Sequence, residues 1–160
     1  MNRVPISKTK IETKLAIIRE SLEALKEMGE MDKDSFLSDY KNFAVSEHYL
    51  RRALEAVFDI AGHIVSRYSF SPGRRPDSYK GLALALGEKG IIDKDFSKES
   101  LSQMAGYRNR MVHFYDELTA EEIYEIITSE LGDIEKIAHA AVRVLENPEK
   151  FNLEIDEQKF

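Results

Sequence analysis

Cysteine and tryptophan are both absent from this 160-residue chain. The lack of cysteine excludes disulfides, zinc–thiolate sites and cysteine nucleophiles, and makes the cytoplasm the expected compartment. Long apolar runs are missing too. The opening Met1-Asn2-Arg3-Val4-Pro5 leads into neither a secretory signal nor a membrane-spanning helix, so no membrane association is expected. Positive charge is in deficit: 23 Lys and Arg against 29 Asp and Glu leave a formal charge of −6. That balance argues against broad, sequence-independent binding along nucleic acid, but not against a local site. Arginines gather at Arg51-Arg52, Arg67, Arg74-Arg75 and Arg108/Arg110, whereas acidic residues dominate from Asp116 to Glu135.

The residues present fit one domain. With 42% hydrophobic and 32% charged residues, a chain of this length buries roughly two thirds of its unfolded surface on folding. Thr9-Lys10-Ile11-Glu12 reads as a capping box opening a first helix, whose stripe Ile11, Leu15, Ile18, Leu22, Leu25 and Met28 ends at Gly29. From Asp34 to Tyr68 apolar residues recur at steps of three and four, which predicts one long second helix spanning on the order of 50 Å. Its apolar face is wide enough for two neighbours, one of which could be a second subunit. Ser71-Pro72-Gly73 and Pro76 place a loop, Asp77 or Ser78 caps a short third helix closed by Gly87 or Gly90, and a fourth helix runs from about Ser97. Thr119-Ala120-Glu121-Glu122 is a second capping box, starting a long final helix that ends near Asn147-Pro148. The expected fold class is all-α, a bundle of about five helices over residues 1–146, followed by a loose polar tail at 147–160. No strand is expected beyond the isoleucine pair at 91–92.

The run from Tyr107 to Tyr115, Tyr-Arg-Asn-Arg-Met-Val-His-Phe-Tyr, is the most informative stretch. A guanidinium offers a planar fork of donors to phosphate oxygens, and an imidazole gives or takes a proton near neutral pH. With no acidic metal ligands beside them, Arg108 and His113 can handle a phosphodiester without metal, which suggests RNA cleavage. The alternative is a salt-bridged helix end. On an uninterrupted helix the two residues would point about 140° apart. Either the helix loosens near Val112, or the two meet across a dimer cleft.

Arg108, four residues, His113, one residue, Tyr115 resembles the Arg-x4-His-x-Tyr motif of HEPN-domain ribonuclease toxins, in particular the HepT-like branch, and the helix pattern extends the resemblance over most of residues 9–146. The resemblance implies a HEPN-like bundle that acts as a homodimer with its motifs facing a shared cleft. It implies a metal-independent RNA endonuclease acting on transfer or messenger RNA, with Arg108 and His113 catalytic. It also implies a minimal nucleotidyltransferase antitoxin as partner, which AMPylates Tyr115 and so puts charge and bulk beside His113. The other reading of Tyr115 is a ring packed under the loop. A non-catalytic helical partner of a nucleotidyltransferase is the alternative function.

Asn109 could orient the phosphate or His113, or bond to backbone as a helix-end amide. Arg110 could bind RNA, support His113 or pair with Asp116. Flanking Phe114 and Tyr107 could stack on bases. Asp59 and His63, four apart, read as a salt-bridged pair or as support for the site, and Glu47 as either a buried carboxylate facing an arginine or a partly exposed one. One Asp/His pair is a poor metal site and paired Glu-x-x-His segments are absent, so neither metal nor cofactor is expected.

Overall fold

The computed structural model describes residues 2–113 and 117–156. They form an all-helical domain with one small sheet. After strand β1 (Val4–Ser7) come helices α1 (Lys8–Gly29), α2 (Lys33–Leu37), α3 (Tyr40–Val65) and α4 (Tyr79–Glu88). Next, α5 (Lys94–Phe96) passes through a π-helical segment, Ser97–Leu101, into α6 (Ser102–Val112). Helices α7 (Ala120–Ser129) and α8 (Leu131–Glu146), a 3-10 turn at Pro148–Phe151 and strand β2 (Leu153–Asp156) complete the fold. The core is continuous: Ile11, Ile18 and Leu25 of α1, Leu50, Leu54 and Ile64 of α3, Ile123 of α7 and Ile134 of α8 are all fully buried.

The all-α class holds, while several boundaries move. Helix α1 is capped by Ser7 and not by Thr9, because β1 fixes Ser7 in extended backbone and its hydroxyl accepts the Lys10 N–H at 3.1 Å. Thr9 already lies inside the helix, where its carbonyl accepts from Thr13. The long second helix is two helices. Asp39 accepts the Lys41 N–H at 2.9 Å and caps α3, and the Asn42 amide reaches back to the Ser35 and Phe36 carbonyls. Apolar spacing runs through the break, since Phe36 and Leu50 serve the same core, but Tyr40 at the new start is 76% exposed.

The long final helix also divides. Its Thr119/Glu122 capping box forms as expected. Glu130, at φ −120° and ψ 0°, then interrupts the helix and closes α7 through its N–H to Ile126. Helix α4 starts at Ser78, whose hydroxyl accepts the Gly81 N–H at 3.0 Å, and is followed by Gly90 at φ 76°.

The loose tail is corrected for residues 148–156, and with it the expectation of no strand. β2 pairs in parallel with β1, Val4 opposite Leu153 through Ser7 opposite Asp156, and Leu153 is fully buried. Tyr68 donates to the Phe151 carbonyl at 2.7 Å, and Asn152 turns the chain into β2 at φ 58°, a left-handed conformation that asparagine tolerates. Among the described residues, no helix is long and apolar enough to cross a membrane.

Candidate active site

Helix α6 owes its placement to the turn before it. In the π segment the Ser97 hydroxyl donates to the Ala83 carbonyl of α4 at 2.5 Å, and Ser102 donates to the Ser97 carbonyl at 2.9 Å. Gly87 of α4 lies so close that a Cβ there would sit 2.7 Å from the Ser97 side chain. This close approach locks α4 against the base of the motif helix. A π-helical turn shifts the register of the helix it leads into, a device frequent at functional sites.

Arg108 faces inward from α6. Its guanidinium lies over the Tyr79 ring, Cζ 4.7 Å from the centroid, and one terminal nitrogen is 3.9 Å from Glu55 Oε1. The side chain is only 18% exposed, and its Nε is buried with no hydrogen-bond partner among the described residues. His113 ends the helix in extended backbone, φ −108° and ψ 116°, and is exposed. The helix therefore stops at Val112. Among the described residues no hydrogen bond or ion pair joins Arg108 to His113.

Asn109 is exposed, and among the described residues its side chain makes no hydrogen bond, so the helix-end amide role is not seen. Arg110 points towards Glu117 and the start of α7. It donates to both oxygens of Glu122, at 2.6 and 3.0 Å, and to the Glu117 carbonyl at 3.3 Å. Glu122 also accepts the Thr119 N–H at 3.1 Å. The bond from Arg110, followed by that from Thr119, holds the Glu122 carboxyl at about 2, well below the ordinary 4.5. Arg110 thus ties the last turn of α6 to the first turn of α7. Asp116, the partner for Arg110 weighed from the sequence, and Phe114 and Tyr115 lie outside the described residues.

Tyr107 donates its hydroxyl to the Glu130 carboxylate at 3.0 Å. Burial and that bond push the phenol's pKa up, and burial also raises that of Glu130. The ring serves the break between α7 and α8, and the hydroxyl is engaged. Two other expectations change. Asp59 pairs with Lys14 at 2.9 Å and not with His63. His63 is buried and accepts the Ser7 N–H on Nε2 at 3.0 Å, which pins the start of α1; burial, then Arg67 and Lys10, push its pKa down. Glu47 does face an arginine, pairing with Arg51 one turn on. That pair, with Tyr40, Phe43, Met111 and Leu118, lines a cavity of about 130 Å³ beside the end of α6. Among the described residues no group of three or more His, Asp or Glu side chains is gathered to hold a metal.

Sequence reasoning missed Tyr79, Glu55 and Glu122 as members of the site. Glu122 carried a usable signal, since a capping box just after a motif arginine places a carboxylate within reach. Tyr79 and Glu55 carried none, because their relation to Arg108 arises only from the packing of three helices.

The all-helical bundle is of the HEPN type. Solved structures agree on the fold. A tri-AMPylated HEPN toxin of Shewanella oneidensis in complex with its MNT antitoxin is 26% identical, covers 82% of this chain and 95% of its own, and has a TM-score of 0.71. A toxin–antitoxin complex with AMP-PNP is 25% identical over 83% of this chain and 97% of its own, with a TM-score of 0.72.

Residues 18–141 match the family described as "Ribonuclease HepT-like". The chain belongs to the HepT-like ribonuclease family. Among curated relatives, the tRNA nuclease HepT of Aphanizomenon flos-aquae is 28% identical over 118 residues, 74% of this chain and 78% of the relative. The mRNA nuclease HepT of Shewanella oneidensis is 31% identical over 87 residues, 54% of this chain and 62% of the relative.

Proposed function

We propose that this chain is the ribonuclease toxin of a toxin–antitoxin pair in the cytoplasm, that it cuts RNA without metal, and that a nucleotidyltransferase antitoxin neutralises it. The observation that carries the reading is the combination of a sequestered Arg108 and an exposed His113 at the end of one helix, in a chain of a ribonuclease family. The ribose 2′-oxygen attacks the adjacent phosphorus and the bond to the 5′-oxygen breaks. The products are a 2′,3′-cyclic phosphate and a 5′-hydroxyl. His113 takes the 2′-proton or gives one to the leaving oxygen. Arg108 offers its fork of N–H donors to the phosphate oxygens as charge builds. Asn109, exposed beside them, is available to orient the phosphate. Arg110, engaged with Glu122, takes the supporting role and not that of a direct RNA ligand.

A homodimer would bring two motifs, and two arginines, to one cleft. Exposed apolar surface at this end supports it: Tyr40 and Val112 are 76% and 44% exposed, and Tyr40 shares a cavity wall with Met111 and Leu118. The antitoxin and the AMP acceptor come from the likeness to the AMPylated toxin complex, and Tyr115 is the motif tyrosine in this chain. The longer curated match is to a tRNA nuclease, which makes transfer RNA the first substrate to test.

The decisive experiment incubates purified transfer and messenger RNA with this protein and with His113→Ala, chelator present, and maps the product ends. Cleavage should persist in chelator, leave 2′,3′-cyclic phosphate ends and fall by about 10²- to 10⁴-fold in the variant. The melting temperature should stay near that of the parent, since the imidazole is exposed and makes no hydrogen bond or ion pair among the described residues. Full activity in a folded His113→Ala protein would overturn the assignment. Co-expression with a nucleotidyltransferase should add AMP to the Tyr115 peptide.

A further inference from the structure

Tyr79 is the first residue of α4, placed by the Ser78 cap, and its hydroxyl makes no hydrogen bond among the described residues. Its contribution is the ring. The ring packs against Phe58 of α3, centroids 5.1 Å apart and planes tilted by 49°, and carries the Arg108 guanidinium 4.7 Å from its centroid. Phe58, Tyr79 and Arg108 thus form a row of contacts contributed by α3, α4 and α6. Glu55, one turn before Phe58, adds charge but not direction. At 3.9 Å it is beyond hydrogen-bond distance, and its side chain is 46% exposed.

We propose that Tyr79 is a positioning residue that fixes the plane of Arg108, so that the guanidinium reaches the scissile phosphate edge-on. The inference rests on the ribonuclease reading and adds the part of the fold that prepares the arginine for it. A guanidinium binds two phosphate oxygens only through N–H groups lying in its own plane. An aromatic ring against one side of the guanidinium restricts the rotation that would tip that plane away. The Nε does not supply this restraint, because it is buried without a partner among the described residues. The Glu55 carboxylate is too distant to supply it. The shelf is itself held, since Gly87 and the Ser97–Ala83 hydrogen bond lock α4 against the π segment that leads into α6. The contact is of the strength that sets a rotamer without deciding whether the domain folds.

The test compares RNA cleavage by the parent protein, Tyr79→Leu and Tyr79→Phe, with the Arg108 Nε–Hε resonance followed in ¹⁵N-labelled protein. Tyr79→Leu should lower kcat by roughly 3- to 30-fold with little change in KM. Tyr79→Phe, which keeps the ring, should restore it. The Arg108 Hε signal should be ring-current shifted and slow to exchange in the parent and in Tyr79→Phe, and should move to the ordinary arginine position in Tyr79→Leu. In an Arg108→Lys background, where no plane remains to be fixed, Tyr79→Leu should cost nothing further in kcat. That arm also separates positioning from a general loss of stability. A folded Tyr79→Leu protein with parental kcat, or with an unmoved Arg108 signal, overturns the shelf. A folded parent that cuts no RNA overturns the ribonuclease reading instead, and the Arg108 resonance then decides the shelf by itself.

Discussion

Arg110 and Glu122 show how a motif residue takes its role from a partner outside the motif. From the sequence, Arg110 had three uses open. The structure adds a further one: two bonds to Glu122, at 2.6 and 3.0 Å, tie the motif helix to the next. The Glu122 carboxyl is held at about 2 against an ordinary 4.5. Its folded value lies below its unfolded value, so its contribution to stability is complete above about 4.5 and is lost as pH falls from there towards 2. The urea midpoint should decline over that acid range more steeply in the parent than in Glu122→Gln, which has no carboxylate to protonate. Equal slopes would show that the clamp adds nothing. At this scale Arg108 and His113 could be proposed from the chain, because their chemistry and spacing are local. Tyr79 and Glu55 could not, since nothing in a linear order of residues says which helix will lie opposite.

Among the elements, the caps of α4 and α7 were legible, while the cap of α1 and the breaks were not. Ser78 and the Thr119/Glu122 box act within three residues of themselves, so their sequence is their geometry. The breaks at Asp39 and Glu130 fall inside apolar periods that continue across them, because the pieces on either side pack on one core. Glu130 is drawn off by Tyr107, a residue of another helix. The contact of α4 with the π segment is the element-scale feature on which the site depends. Gly87→Ala should test it: the added methyl would stand 2.7 Å from Ser97, and overpacking of this kind costs about 1–3 kcal/mol. A clear drop in melting temperature is expected, with a fall in RNA cleavage as α4 shifts. An unchanged melting temperature would mean that the two helices separate without cost.

For the whole molecule, the first and last elements of the fold meet in one parallel ladder. β1 and β2 place Ile6 and Leu153, both fully buried, in the same core as the long helices. Leu153→Ala should therefore behave as a core substitution, losing about 2–5 kcal/mol in urea unfolding. A loss under about 0.5 kcal/mol, within the usual effect of a surface change, would return residues 148–156 to the status of a tail. The net charge of −6 is a property of this scale too. It leaves any attraction for RNA to the motif end, with two copies of that end reinforcing each other in the proposed dimer.

By itself the sequence determined the helical class and the caps that start α4 and α7. Each of these is settled by interactions within about one helical turn, where spacing along the chain equals position in space. Only the tertiary structure decided where the long helices break, that β1 and β2 pair, that His63 pins the first helix, and that Arg108 lies on Tyr79. These depend on residues far apart in the chain that become neighbours when apolar faces are buried together, and burial of a face does not specify which polar or aromatic groups will meet at its edge.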